Sequence, residues 1–295
     1  MSTTTPAPTP NAASPAPRAV QKSSLATSLS RNLTLGFSRI KYEVRAYFRQ
    51  GDSVFFTFLF PVVMLTIFAL AFSEQNFGTE DEPLTAAAFY LPGMLAAGLL
   101  LSGLQNMAID IAMERSDGTL KRFAGTPLPI MSYFIGKIGQ VFVTGVLQAT
   151  LVIVVASVAF GVELPSEASK WLTFVWVFVL GVTTSAVLGI ALSALPRSGK
   201  SATAVVIPIA LVLQFISGVY LGFSLLPTWL QNFASIFPLK WMAQGMREVF
   251  LPASFEVMEQ SESWNLPGVA IATGIWLVFG LIVTRLTFRW IRKDS

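Results

Sequence analysis

Long apolar runs alternate with short polar breaks along most of the chain, and six of the runs come near the 20 residues that cross a bilayer as a helix. They predict spans at about Val54 to Phe72, Ala88 to Ile109, Phe134 to Phe160, Trp171 to Leu195, Ser201 to Leu221 and Gly268 to Thr287. A further apolar stretch, Leu225 to Leu251, contains Pro227, Pro238, Lys240, Arg247 and Glu248. Each central Lys or Arg would cost roughly 2.5–3.5 kcal/mol in the membrane. Two short helices at or dipping into the outer interface fit that stretch better than a seventh crossing.

Ahead of the first span, Leu25, Leu29, Leu33, Phe37, Ile40, Val44 and Phe48 recur every three or four residues. Arg31, Arg39, Lys41, Arg45 and Arg49 fall on the opposite arc of the same helix. Residues 25–50 therefore read as an amphipathic helix lying on the inner membrane surface. Its polar face either anchors to anionic lipid or also meets a cytoplasmic partner. Residues 1–24, rich in Pro, Ala, Thr and Ser, read as a disordered cytoplasmic tail without the apolar run of a signal peptide.

Polar positions inside the spans also carry a pattern. Ser102, Asn106, Asp110 and Glu114 follow one another at four-residue spacing, with Gln105 beside them, so they share a helical face that points to protein or a wet cavity. Gly181, Ser185, Gly189 and Ser193 make a small-residue stripe suited to close helix packing. Gln214, Phe215, Ser217 and Tyr220 mix aromatic and polar character, as a pocket for amphiphiles would. Pro208 is a candidate kink in that fifth span.

Between the second and third spans stands Glu114 to Pro129, a stretch of charges, glycines and prolines. Ser116 or Asp117 can cap a short helix there, with Leu120, Phe123 and Ala124 as its apolar side. Gly125 is placed to end it in the left-handed conformation, and Pro127 to stop it. Lys121 and Arg122 point elsewhere. The segment predicts a short rigid helix held between two spans.

Composition makes the membrane assignment firm, since 53% of the 295 residues are hydrophobic and 12% charged against about 25% charged in soluble domains. Of the 20 Lys and Arg, all but Lys170, Lys240 and Arg247 fall on one side of the six-span arrangement. By the positive-inside rule that side, with both termini and the Glu114 segment, is cytoplasmic. The chain has no Cys and no His, which removes thiol nucleophiles, Ser-His-Asp triads and the common zinc and haem ligand sets. The run "ALPRSGKS", Ala194 to Ser201, approaches a phosphate-binding loop, but Ala194 replaces the first glycine, Pro196 interrupts it, and it joins two spans.

The segment "ERSDGTLKRFAGTPLPIMSYFIGKI" resembles the Glu-Arg, Gly-Thr-Leu, Thr-Pro-Leu and Gly-Lys segment of ABC transporter type-2 permeases. A second signature, "FISGVYLGFSLLPTWLQNFASIFPLKWMAQGMREVFL", and "FFTFLFPVVMLTIF" in the first span are similar to the same family. The resemblance runs from about Leu33 to the C-terminus, and the drug-exporter branch of the daunorubicin-resistance kind is nearest by length and loop sizes. It implies an all-α polytopic fold for residues 51–295. It also implies a second permease half, membrane lipids and a separate nucleotide-binding ATPase subunit as partners, with ATP and magnesium on that subunit, no cofactor on this chain and no nucleic acid. Glu114, Arg115, Asp117, Gly118, Thr119, Leu120, Lys121, Arg122, Phe123 and Pro127 would form the coupling helix that docks on the ATPase. Arg39, Glu43, Arg45 and Arg49 would line the interfacial helix against it. Ser102, Gln105, Asn106, Asp110, Gln214, Phe215, Ser217 and Tyr220 would flank the route of a hydrophobic or amphiphilic compound. Lys240 departs from the family pattern, which usually has an uncharged residue there. The competing reading is an ion- or proton-coupled secondary transporter or channel with Asp110 as the candidate proton carrier, against which Asp110's place near the inner boundary and the lack of inverted repeats both speak.

Overall fold

The computed structural model describes residues 25–196 and 198–288, with side chains from residue 32 onward. The expected tail at 1–24 and Arg197 lie outside the described residues, as do the side chains of Leu25, Leu29 and Arg31. Among the described residues the only regular structure is helical: α1 (Leu25–Tyr47), α2 (Gly51–Ala71), α3 (Ala86–Leu100), a π-helical segment (Leu101–Asn106), α4 (Met107–Ser116), α5 (Thr119–Ala124), α6 (Ile130–Phe160), α7 (Ala168–Leu192), α8 (Gly199–Ile216), α9 (Thr228–Ala234), α10 (Pro238–Phe250) and α11 (Leu266–Thr287). Six continuous helices are long and apolar enough to cross a membrane: α2, α3 through α4, α6, α7, α8 and α11.

The second and third of these each run 31 residues, roughly 46 Å against a hydrocarbon core of about 30 Å. Both therefore extend past the apolar slab. The second span continues to Ser116, beyond the expected Ile109, and Lys137 and Tyr133 of α6 supply partners for Asp110 and Glu114 in that extension. The fifth stops at Ile216, short of the expected Leu221, where Gly218 takes φ 74° and turns the chain back.

The second span is the core of the bundle, with 89% of its apolar window buried, against 17% for α11 and 22% for α2. Around it, α7 packs on the π segment, α2 on α3, α4 on α8, and α11 on α7. The small-residue stripe of α7 allows a close approach of backbones, since a Cβ on Gly189 would stand 2.5 Å from the Gly103 carbonyl oxygen. Pro208 lies inside the continuous helix α8. Before it, the lookalike phosphate loop serves as a helix cap, in which Ser198 Oγ accepts the Ser201 backbone N–H.

The first helix lies along α6 and has three faces, where the sequence pattern predicted two. Gly36, Arg39 and Glu43 are turned toward α6, which comes close because it offers glycines: a Cβ on Gly139 would meet Ile40 Cδ1 at 2.4 Å, and one on Gly136 would meet Arg39 Cγ at 2.8 Å. Tyr47 bonds Thr57 of α2 instead. Leu33, Phe37 and Phe48 face outward and are exposed, as are Lys41, Arg45 and Arg49. Arg39 thus leaves the basic arc in which its position on the helix had placed it.

The region between α8 and α11 does contain two short helices in place of a crossing. Helix α9 is half-exposed, while α10 is almost wholly buried against α3, α7 and α11.

Candidate functional site

The chain leaves α4 at Ser116 and turns on Gly118, whose φ of 80° belongs to the left-handed region that glycine occupies without strain. Gly118 itself holds the N-cap position of α5, with no side-chain cap; Asp117, just before it, accepts the Thr119 N–H at 2.8 Å in an Asx turn, so neither expected capper stands at the cap. Ser116 instead bonds back to the Met113 carbonyl. Gly125, expected in the left-handed conformation, is right-handed with φ −81°. The left-handed residue is at the start of α5, where the sharp change of direction occurs, and the Thr126 hydroxyl closes the other end on the Phe123 carbonyl.

Of the predicted apolar side, Leu120 is fully buried and Phe123 half-buried, while Ala124 is exposed. The Arg39 guanidinium stacks over the Phe123 ring at 4.3 Å, within cation–π range. Lys121, Arg122 and Pro127 face solvent. At the base of the segment, Arg115 donates to the Ser193 carbonyl at 2.6 Å, pinning α4 to the end of α7.

Beneath α5 lies a buried charge cluster. The Lys137 ammonium, on α6 and 2% exposed, meets Glu43 of α1 at 3.0 Å and Glu114 of α4 at 2.7 Å, and it donates to Asp110 of α4. Tyr133 donates to the other Glu114 oxygen at 2.6 Å, and Arg39 pairs with Glu43 at 2.8 Å. Glu43, Asp110 and Glu114 bring carboxylate oxygens within 4.8 Å of one another, a spacing suited to a cation. Lys137 supplies that cation from within the chain.

This arrangement mechanically joins three elements. Phe123 of α5 touches Arg39, which pairs with Glu43, and the α4–α5 turn follows Glu114; Glu43 and Glu114 both meet Lys137. Sequence reasoning missed Lys137 and Tyr133 as members. The available signal was a lone lysine in an apolar span whose neighbour in the fold carried an acidic stripe, since an ionisable group there demands a partner.

The predicted route residues separate into two groups. Ser102 is buried, Gln105 and Asn106 are half-buried, and Asn106 donates to Thr57 at 2.6 Å, with Tyr47 on the same hydroxyl. At the other end of α8, Gln214, Ser217 and Tyr220 are buried, Tyr220 donates to Gln214, and Phe215 points outward, 53% exposed. Tyr220 stacks near Phe68 of α2, so this group packs the bundle interior. No hydrogen bond joins the two groups among the described residues.

A second buried cluster sits at the opposite end. Arg247 of α10 pairs with Glu259 at 2.5 Å and donates to the Gly218 carbonyl at 3.3 Å. Lys240 bonds Gln244, lies 3.9 Å from Glu259 and stands over the Trp241 ring at 4.1 Å. Burial pushes the Lys240 ammonium down to about 8, with Glu259 opposing the shift.

A profile of ABC-2 type transporters matches residues 37–251. The chain belongs to the ABC-2 type transporter family. It is 25% identical over 187 residues to the probable multidrug ABC transporter permease YbhR of Escherichia coli strain K12, a match covering 63% of this chain and 50% of that protein. It is also 26% identical over 237 residues, 79% of each chain, to the putative transport permease ycf38 of Cyanophora paradoxa. The chain thus spans about half the length of the first of these relatives. Six apolar helices and the family together make it a multi-pass membrane permease.

Proposed function

We propose that this chain is the membrane-spanning subunit of an ATP-driven exporter that moves a hydrophobic or amphiphilic compound outward. Helix α5 docks into a groove of a separate ATPase subunit, which carries the ATP and magnesium, and a second permease half completes the route. The chain has no ATPase of its own, and its termini and α5 face the cytoplasm of a bacterial inner membrane. The observation that carries this reading is the construction of α5. Its Leu120 and Phe123 side is clamped to the spans, while Lys121 and Arg122 are presented outward on a rigid turn. A connection with no load would need only a few residues.

In mechanism, closure of the ATPase pair pushes α5, and the Lys137 cluster passes the displacement to the second and third spans together. Nucleotide and cargo must each favour one arrangement differently for this to be coupling. The test is co-purification and reconstitution with a one-domain ATPase. Lys121→Glu with Arg122→Glu is expected to abolish capture of the ATPase while leaving the chain folded in the membrane. Uphill transport by vesicles holding this chain alone would overturn the proposal.

One observation favours the proton-coupled reading: Asp110 sits in a buried ion cluster. Asp110→Asn separates the two, because a proton-coupled carrier would lose uptake driven by a pH gradient, whereas an ATP-driven one would keep its dependence on ATP.

A further inference from the structure

A cleft of about 70 Å³ opens between the α1–α2 elbow and α4, on the outer side of the Lys137 cluster. Tyr47, Gln50, Asn106 and Gln140 give it oxygen atoms, Met107 and Met113 give it apolar wall, and Asp110 is the only charged residue that lines it. Asp110 reaches inward to Lys137 with one oxygen, and its side chain is still 30% exposed toward the cleft. Counting Asp110 itself, three carboxylates meet two cations, Lys137 and Arg39, so the cluster that Asp110 joins to the cleft has one carboxylate more than it has cations.

We infer that this cleft receives the ammonium head of an amphiphile, either a transported compound or a lipid. A single water takes up roughly 15 Å³ by the same measure of space, so the cleft accommodates a headgroup and not a whole drug-sized molecule. The carboxylate and amide oxygens suit a cation, and an anion would meet Asp110. The alkyl portion leaves beside Met113, which is 52% exposed at the rim. The inference deepens the exporter reading and rests on it for one step. An ammonium on Asp110 competes with Lys137, which keeps Glu43 and Glu114, so occupancy loosens one contact of the cluster that carries α5. Cargo thereby acts on the docking helix through a single shared carboxylate.

The site is tested on the full chain in maltoside micelles, without ATPase or nucleotide, by equilibrium dialysis of labelled hexyltrimethylammonium against an uncharged hexyl ether. Asp110→Asn is expected to weaken the ammonium probe by about tenfold, the effect of losing one opposite charge a few ångströms from a partly desolvated cation. Met113→Lys changes only an exposed rim position and keeps the test decisive if Asp110→Asn folds poorly. It is expected to weaken the probe several-fold by repulsion. Neither substitution is expected to change binding of the ether. Ammonium binding that is unchanged in Met113→Lys and in any folded Asp110→Asn, or is no tighter than that of the ether in the wild type, would overturn the inference. Added phosphatidylethanolamine that displaces the probe identifies a lipid as the occupant, and indifference to it identifies a dissolved compound; both uphold the ammonium site. Failure of the exporter reading would appear in reconstituted transport and leave this assay unaffected.

Discussion

Two buried ion clusters stand at opposite ends of the bundle and are built in opposite senses. At the α5 end, one lysine gathers carboxylates from α1 and α4, negative charge is in excess, and three helices share the joint. At the α10 end, one carboxylate, Glu259, faces two cations, both on α10, and the rest of the stabilisation comes from Gln244, two aromatic rings and backbone carbonyls. The first links separate helices through a single ammonium. The second secures one short helix to the loop that follows it. A joint between moving parts and a clasp on a cap are different mechanical objects, and the difference is testable.

The largest effect is expected from Lys137→Met, which leaves Glu43, Asp110 and Glu114, of which Glu43 is buried and the other two partly so, with Arg39 as the remaining cation. Removing one partner of a buried ion pair costs roughly 3–5 kcal/mol, so folded protein should nearly disappear from a size-exclusion profile of membrane extracts. Glu259→Gln keeps the shape and some hydrogen bonding, and a loss of roughly 1–3 kcal/mol is expected. Equal damage from the two would remove the distinction between joint and clasp.

Next comes Phe123→Ala. Its contact with Arg39 is worth about 0.5–2 kcal/mol, so the protein should remain folded while ATP-driven efflux falls several-fold. The matching change at the far end, Trp241→Leu, removes a similar stack on Lys240. Efflux that falls equally in both variants would show that α5 has no special part in coupling.

The six crossings were legible because each is a long apolar run, and hydropathy reports that directly. The acidic stripe of Ser102 to Glu114 was legible too, since four-residue spacing fixes a shared face. Its partner was not, because Lys137 reaches it through the packing of α1 and α4 on α6, and periodicity within one helix says nothing of its neighbours. Arg39 shows the same limit: helical angle placed it with the solvent-facing arginines, and the glycines of α6 drew it into the core. At the α10 end, Lys240 and Arg247 argued correctly against a crossing, yet Glu259 lies beyond α10 in a loop that no pattern marked as their counter-ion.

A smaller effect is expected at the turn into α5. Gly118→Ala imposes a side chain on a residue with φ 80°, and no heavy atom lies within 4 Å of the added Cβ. The cost is therefore backbone strain of about 1 kcal/mol. It should appear as faster hydrogen exchange in α5 with little change in the rest of the bundle, and uniform loss of protection would mean that the turn is part of the global core.

A pH response is expected to be confined to the clasp. Burial holds Lys240 near 8, against about 10.4 in an unfolded chain. Between those values the unfolded chain holds more protons than the folded one, so stability rises with pH across that interval. Below about 8 both forms are charged and this lysine contributes no slope. Thermal unfolding followed at pH 7.5 and 9.5 should therefore rise by roughly 3 °C at the higher pH in the wild type relative to Lys240→Met. The variant, with a thioether beside Trp241, should also start from the more stable position at pH 7.5, because an apolar group replaces a buried charge that Glu259 only partly balances. If the two chains respond alike to pH, Lys240 is charged at no cost, and the α10 end holds its ions as firmly as the α5 end does.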